Sequence, residues 1–467
     1  MGTLWEKTYR LDALMEAFTV GEDYALDVRL VNADCTASMA HARMLEAIGI
    51  LTATEGESLA RELATIIRRN AAGEFTVRRA DEDVHTAIEN HLVAALGDPG
   101  KKIHTGRSRN DQVLAALRLW SRGFLFTFHE AALSLISRLI DFSEKHAGTP
   151  MPGRTHLQSA MPSSVGLWAA AWAEELLDDL TLCRQAFNLL DACPLGSAAS
   201  YGVPLPLDRE LVARLLGFSR VQNNVLYAAN SRGKLEAVAL EAVEHAALTI
   251  SRMAQDLILF SLPELGYFTL PQELCSGSSI MPQKRNPDGL ELIRGKAGLI
   301  GANLLAMKAV LRSLPGGYNR DLQETKGPYF RGCEDGLGCV RIMDLTVSKL
   351  IVNPDALRRG FTPDIFATDR ALDLVARGVP FRDAYHEVGR TLEGAAAGDP
   401  AEAISRRRST GTPGNLRLDI PRAALEDERR WLETQEPARR ERIKQLAGMD
   451  VPFFRDPLAG SLDRNGS

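Results

Sequence analysis

Residues 232–260 read RGKLEAVALEAVEHAALTISRMAQDLILF. The stretch has no proline and is rich in Ala, Leu, Glu and Arg, all good helix formers. Leu235, Val238, Ala242, Ala246, Ile250, Met253 and Leu257 recur at three- and four-residue steps, the spacing of one helix face. Ala239, Ala247 and Ile258 widen that face, so the helix is expected to be buried on more than one side. At ~1.5 Å per residue it would be about 45 Å long. A rod of that length needs partners of similar length to cover it.

The positions of the prolines supply those partners. No proline falls between Pro99 and Pro150, Pro162 and Pro194, Pro206 and Pro263, Pro287 and Pro315, or Pro328 and Pro354. Five long helices cover one another most economically as a bundle. Helix and strand signals do not alternate, which argues against a doubly wound parallel sheet. The chain is therefore read as all-α, with three helical regions. Residues 1–108 carry shorter amphipathic helices, as in SMAHARMLEAIGIL and ESLARELATIIRRN. Residues 109–354 hold the five long rods, and residues 355–467 hold short helices ending in a loose tail, FRDPLAGSLDRNGS.

Bulk properties exclude several functional classes. The net charge of −5 and the lack of a Lys/Arg block argue against a nucleic-acid surface. The first residues lack the basic and apolar segments of a secretory signal, and no run of about 18 apolar residues predicts a membrane span. Six cysteines without a Cys-x-x-Cys pair suit reduced thiols in the cytoplasm.

Chemistry is expected in the polar segments between the rods. In KKIHTGRSRNDQ (101–112), Lys101, Lys102, Arg107 and Arg109 bring charge, while Thr105, Ser108 and Asn110 bring donors. Such a helix start can bind an anion, although Ser108 or Asn110 would equally serve as a plain cap. MPGRTHLQSAMP (151–162) holds His156 beside Thr155 and Gln158, between helix breakers. LCSGSSIMPQKRNP (274–287) offers Gly277, Ser278 and Ser279, then Lys284 and Asn286. A phosphate-binding Walker loop does not fit, because no glycine precedes Lys284 and no Ser or Thr follows it. A carboxylate clamp needs the same groups without that spacing. In ADEDVHTAIENH (80–91), Asp81, Asp83, His85, Glu89 and His91 invite a metal reading, but acidic residues at a helix start answer the helix dipole and no ligand geometry is fixed.

Cations for carboxylates, a histidine and a closable loop suit proton abstraction beside a carboxylate. The doubly negative carbanion so formed must be held by pre-placed donors. No cofactor motif is present, so the protein itself would supply that stabilisation.

GSSIMPQKRNP resembles the signature loop of the fumarase/aspartase superfamily. HTGRSRNDQ, MPGRTHLQ, CPLGSAA and YNRDLQETK are similar to segments of its argininosuccinate lyase branch, and the likeness runs from about residue 4 to about residue 395. The resemblance implies β-elimination of argininosuccinate to arginine and fumarate. It implies Ser278 and His156 in the two proton transfers, in an order left open, with Glu291 as partner of His156 and Lys284 stabilising a serine alkoxide. It implies that Ser108, Arg109, Asn110, Thr155 and Asn286 hold the succinyl carboxylates, and that Tyr318, Gln323 and Lys326 lie near the amino-acid end. It further implies a homotetramer with a twenty-helix core, each active site drawing its motifs from three chains. That assembly would account for the apolar breadth of 232–260.

Four segments depart from the family pattern. Gly21, Glu22 and Asp23 occupy a segment that commonly carries a substrate-contacting serine. NSRGKLE (230–236) replaces a Ser-Asp-Arg-Asp stretch at Gly233, Met161 replaces glutamine, and Tyr385 replaces histidine. These changes make a sibling lyase the alternative, acting on another N-substituted aspartate such as ethylenediamine disuccinate. A crystallin-like structural role without turnover is the non-enzymatic reading.

Overall fold

The computed structural model describes residues 11–392 and 396–459. Its helices of eight or more residues are α1 (Ala13–Val20), α2 (Val31–Ala47), α3 (Ala53–Ala71), α4 (Val84–Leu96), α5 (Arg109–Lys145), α6 (Val165–Leu190), α7 (Lys234–Phe260), α8 (Asp288–Leu311), α9 (Lys326–Lys349), α10 (Ala367–Ala376), α11 (Phe381–Arg390) and α12 (Asp419–Ala447). Strands are few and short. β1 (Pro150–Thr155) and β2 (Gln158–Ser164) form a hairpin, and β3 (Phe268–Thr269) pairs with β4 (Ile351–Val352). The fold is all-α.

The five proline-free stretches became α5 to α9, and side-chain contacts fix their directions. Arg118, early in α5, donates to the carbonyl of Leu190 at the end of α6 and to the Ser231 hydroxyl just before α7. Ser143, late in α5, donates to the Gly166 carbonyl at the start of α6. Trp168 of α6 donates to Asp256 near the end of α7. Gly233, ahead of α7, faces Leu311 at the end of α8. Tyr329, early in α9, donates to Ser121 of α5. The helices therefore run up, down, up, down, up. The near end gathers the starts of α5, α7 and α9, and the far end gathers the hairpin and the α7–α8 loop.

α7 lies between α6, α8 and α9 and is buried on several sides, from Leu235 and Ala239 to Ile250, Met253 and Leu257. Its own chain covers this apolar breadth, so the breadth is no sign of further subunits. Among the described residues, exposed apolar surface lies on α8, where Leu292, Leu299 and Leu305 are 58–62% exposed. Gly295, Gly298 and Ala302 are exposed on the same helix, at steps that make one stripe.

The loose tail and the short helices expected over 355–467 both need correction. The segment expected as a loose tail is docked as far as it is described: Phe454 packs on Trp120 and Phe124, and Asp456 pairs with Arg341 at 2.6 Å. Residues 460–467 lie outside the described residues. α5 contains a window long and apolar enough to cross a bilayer, but 67% of it is buried within the protein, as in a core helix. The long α12 packs on α5, α2 and α6 and so lies along the bundle.

Candidate active site

Ser108 caps α5. Its side chain accepts from the Asn110 N–H, while Asp111 accepts the Ser108 N–H at 2.9 Å, a capping box. Buried Asp111 also accepts the N–H groups of Gly196 and Ala198 at 2.9 and 3.0 Å. The segment CPLGSAA is thereby tied to the start of α5. Glycine suits this turn, where Gly196 has φ 87°. Arg109 pairs with Glu82 at 2.8 Å and Asp83 at 3.3 Å. Lys101 and Lys102 pair with Asp98 and Glu55, and buried Arg107 donates to Ser38. The cations expected to wait for an anion are thus already engaged, Arg109 by Glu82 and Asp83 and the other three by Asp98, Glu55 and Ser38.

Tyr318, Gln323 and Lys326 meet Arg109 and Asn110 around one near-end cavity of about 60 Å³. Sequence reading missed Asp27, Glu82, Arg232 and Arg320 in its lining, and it named Asp23 only as a departure. Lys326 Nζ lies 2.8 Å from Asp23 and 2.7 Å from Asp27. Burial alone would lower the Lys326 pKa, but Asp27 and Asp23 outweigh it and raise it, so the ammonium stays charged. Gln323 donates to the carbonyls of Thr19 and Val20, which anchors the segment ahead of Asp23. The Arg232 guanidinium lies 5.4 Å from the centre of the Tyr318 ring.

The acidic residues and histidines of 80–91 are engaged separately. Asp81 takes Arg78, Asp83 caps α4, His91 meets Glu62 at 2.6 Å, and His85 meets Asp34. Glu89 lies 3.7 Å from His104. Burial, then Arg107 and Arg109, lowers the His104 pKa to about 4.

Thr155 and His156 sit at the far end, in the turn of the β1–β2 hairpin. Thr155 pairs with Gln158 across a two-residue turn whose central residues, His156 and Leu157, have φ 53° and 62°. Arg154 donates to the Leu157 carbonyl at 2.9 Å and steadies the turn. His156 is exposed, and Leu157 beside it is 68% exposed. Met161 is also exposed, on β2. Tyr385 is exposed on α11.

The loop before α8 is closed at its base by Ser276 and Asn286, which exchange backbone hydrogen bonds of 3.1 and 2.9 Å. At its tip the Ser278 oxygen accepts from the N–H groups of Met281 and Ile280 at 3.1 and 3.4 Å. Donors so placed would favour negative charge on that oxygen. Lys284 is exposed on the same loop, and Glu291 on the first turn of α8. Among the described residues, neither His156 and Glu291 nor Ser278 and Lys284 are joined by a side-chain hydrogen bond.

Six of the twelve residues named from sequence thus lie at the near end: Ser108, Arg109, Asn110, Tyr318, Gln323 and Lys326. The other six, Thr155, His156, Ser278, Lys284, Asn286 and Glu291, lie at the far end. The 37 residues of α5 separate the two groups by about 55 Å.

A five-helix bundle with polar segments at both ends and a serine- and lysine-bearing loop has the form of a helical lyase. The family model described as Lyase matches residues 6–301. The argininosuccinate lyase of Sorangium cellulosum is 47% identical over 416 residues, covering 89% of this chain and 96% of that protein. That of Thermotoga neapolitana is 42% identical, covering 82% and 97%. The chain belongs to the argininosuccinate lyase family. A solved EDDS lyase in complex with formate superposes with a TM-score of 0.79 at 24% identity, covering 94% of this chain and 95% of that one, and it shares the fold.

Proposed function

We propose that the protein splits argininosuccinate into arginine and fumarate. The observation that carries this reading is the 47% identity to an argininosuccinate lyase over nearly the whole of both chains. The reaction needs no water. A base removes a proton from the succinyl carbon next to the one that bears nitrogen. The electron pair left behind forms the carbon–carbon double bond, and the carbon–nitrogen bond breaks with its pair on nitrogen, which is protonated.

Ser278 and His156 carry the two proton transfers. The backbone donors on the Ser278 oxygen and the nearby Lys284 charge favour its alkoxide, which supports Ser278 as the base. His156 serves the nitrogen side, with Glu291 as its partner. Ser108, Arg109, Asn110, Thr155 and Asn286 hold the succinyl carboxylates. Tyr318, Gln323 and Lys326 meet the amino-acid end.

These groups lie at opposite ends of one bundle, so the working site is assembled from several copies. A homotetramer meets this need, with near ends set against far ends and the α8 stripe buried between copies. Regions 1–108, 109–354 and 355–467 are proposed as its N-terminal, bundle and C-terminal parts. All six cysteines are free thiols, which suits the cytoplasm.

The test follows fumarate absorbance as the purified protein meets argininosuccinate and a panel of other N-substituted aspartates, ethylenediamine disuccinate among them. Fumarate and arginine appearing together support the proposal. Release from another panel member alone would keep the chemistry and overturn the substrate. Silence throughout would favour a structural protein.

A further inference from the structure

The near-end cavity is lined by Asp23, Asp27, Glu82 and Asp83, and against them by Arg109, Arg232, Arg320 and Lys326. At about 60 Å³ it is a small cavity whose lining is mostly charged, suited to a polar head group. The eight charges are unequally satisfied. Glu82 and Asp83 share Arg109. Asp27 is fully buried and takes both Lys326 and the Val84 N–H at 3.2 Å. Asp23 shares that same Lys326 ammonium at 2.8 Å and keeps its side chain 14% exposed. Two carboxylates on one ammonium carry a net negative charge, and Asp23 is the one with acceptor positions left for the cavity. Arg320 spends one donor on the Thr19 carbonyl at 2.7 Å, and Arg232 stands over Tyr318.

We infer that Asp23 determines specificity by accepting the α-ammonium of the substrate's amino-acid head, whose carboxylate turns toward Arg232 and Arg320. The inference rests on the proposed function and names the substrate atom that this cavity reads. Burial pushes the Asp23 carboxyl up to about 6, opposed by Lys326 and reinforced by Asp27. Its anion is therefore costly until a second cation arrives, which is the gain an ammonium ligand brings.

The test measures binding of L-arginine and of des-amino-arginine, the same molecule without the α-amino group, to the full-length protein by calorimetry near neutral pH. Wild type should prefer arginine by about tenfold or more, the worth of one charged hydrogen bond. Asp23→Asn, which keeps the shape and loses the charge, should remove most of that preference. A preference retained in Asp23→Asn, or none in wild type, would overturn the inference.

A second readout is the pH dependence of that preference in wild type and in Asp23→Asn. Since the Asp23 anion is the acceptor, the wild-type preference should fade as pH drops through about 6. The other titratable or charged groups lining the cavity are Lys326, Asp27, Arg232, Arg320, Glu82, Asp83, His85, Arg109 and Tyr318, and all remain in Asp23→Asn. The fading should therefore be absent from that variant. A pH effect that survives there belongs to another group and sinks the inference. The two readings also fail separately. Argininosuccinate left intact with the arginine preference present would refute the function and keep Asp23. Turnover with the preference unmoved by Asp23→Asn would do the reverse.

Discussion

Ser278 sits in a loop whose backbone already aims two N–H groups at its oxygen. Serine is a weak base because its alkoxide is high in energy, so in the proposed role those donors and Lys284 would supply what proton abstraction lacks. Ser278→Ala should lower kcat by about a thousandfold or more, with assembly unchanged on size exclusion. A shift to monomer would show that the loop is structural. His156 drew attention in the sequence because a histidine stood alone between helix breakers. Nothing there pointed to Asp27 or Arg320 in the near-end cavity. The Asp27–Lys326 pair joins positions 299 residues apart, and no local pattern announces such a contact.

At the scale of elements, two contacts set how the helices lie. Gly336 of α9 faces Val243 of α7 so closely that an added Cβ would stand 2.2 Å from a Val243 methyl. Gly336→Ala should cost about 1–3 kcal/mol of stability, read as a lower unfolding midpoint. Asp34 of α2 holds His85 of α4, and both are buried. For Asp34, burial raises the pKa but His85 outweighs it and lowers it; for His85, burial lowers the pKa but Asp34 outweighs it and raises it. The Asp34 contribution to stability is lost as pH falls through its lowered value, and the His85 contribution as pH rises through its raised value. Asp34→Asn should cost about 3–5 kcal/mol near pH 6 and flatten that dependence, which denaturant melts across pH would show.

The five long helices were legible at this scale because proline spacing and apolar steps are local signals. α12 was not, because Pro437 lies inside it. Pro437 is exposed, so the carbonyl left without a partner can face water and the helix continues. The β1–β2 hairpin escaped notice as well, since its turn is His-Leu with positive φ where Asn-Gly is the usual signal.

For the whole molecule, the deciding fact is the length of α5, which keeps Arg109 and Ser278 at opposite ends of the bundle. The apolar stripe of α8 offers the surface on which copies would join. Leu299→Lys, placing a charge in the middle of that stripe, should shift the protein toward monomers on size exclusion and abolish turnover with them. Retained assembly would move the interface elsewhere.

The central claim is that near-end and far-end groups of different copies form one site. Arg109→Gln and Ser278→Ala would each be purified, found inactive, then unfolded together and refolded as a mixture, with fumarate release from argininosuccinate as the readout. The account predicts that the mixture regains a measurable part of wild-type activity, since some sites receive an intact Arg109 from one copy and an intact Ser278 from another. A mixture that forms mixed assemblies yet stays as inactive as either parent would contradict it.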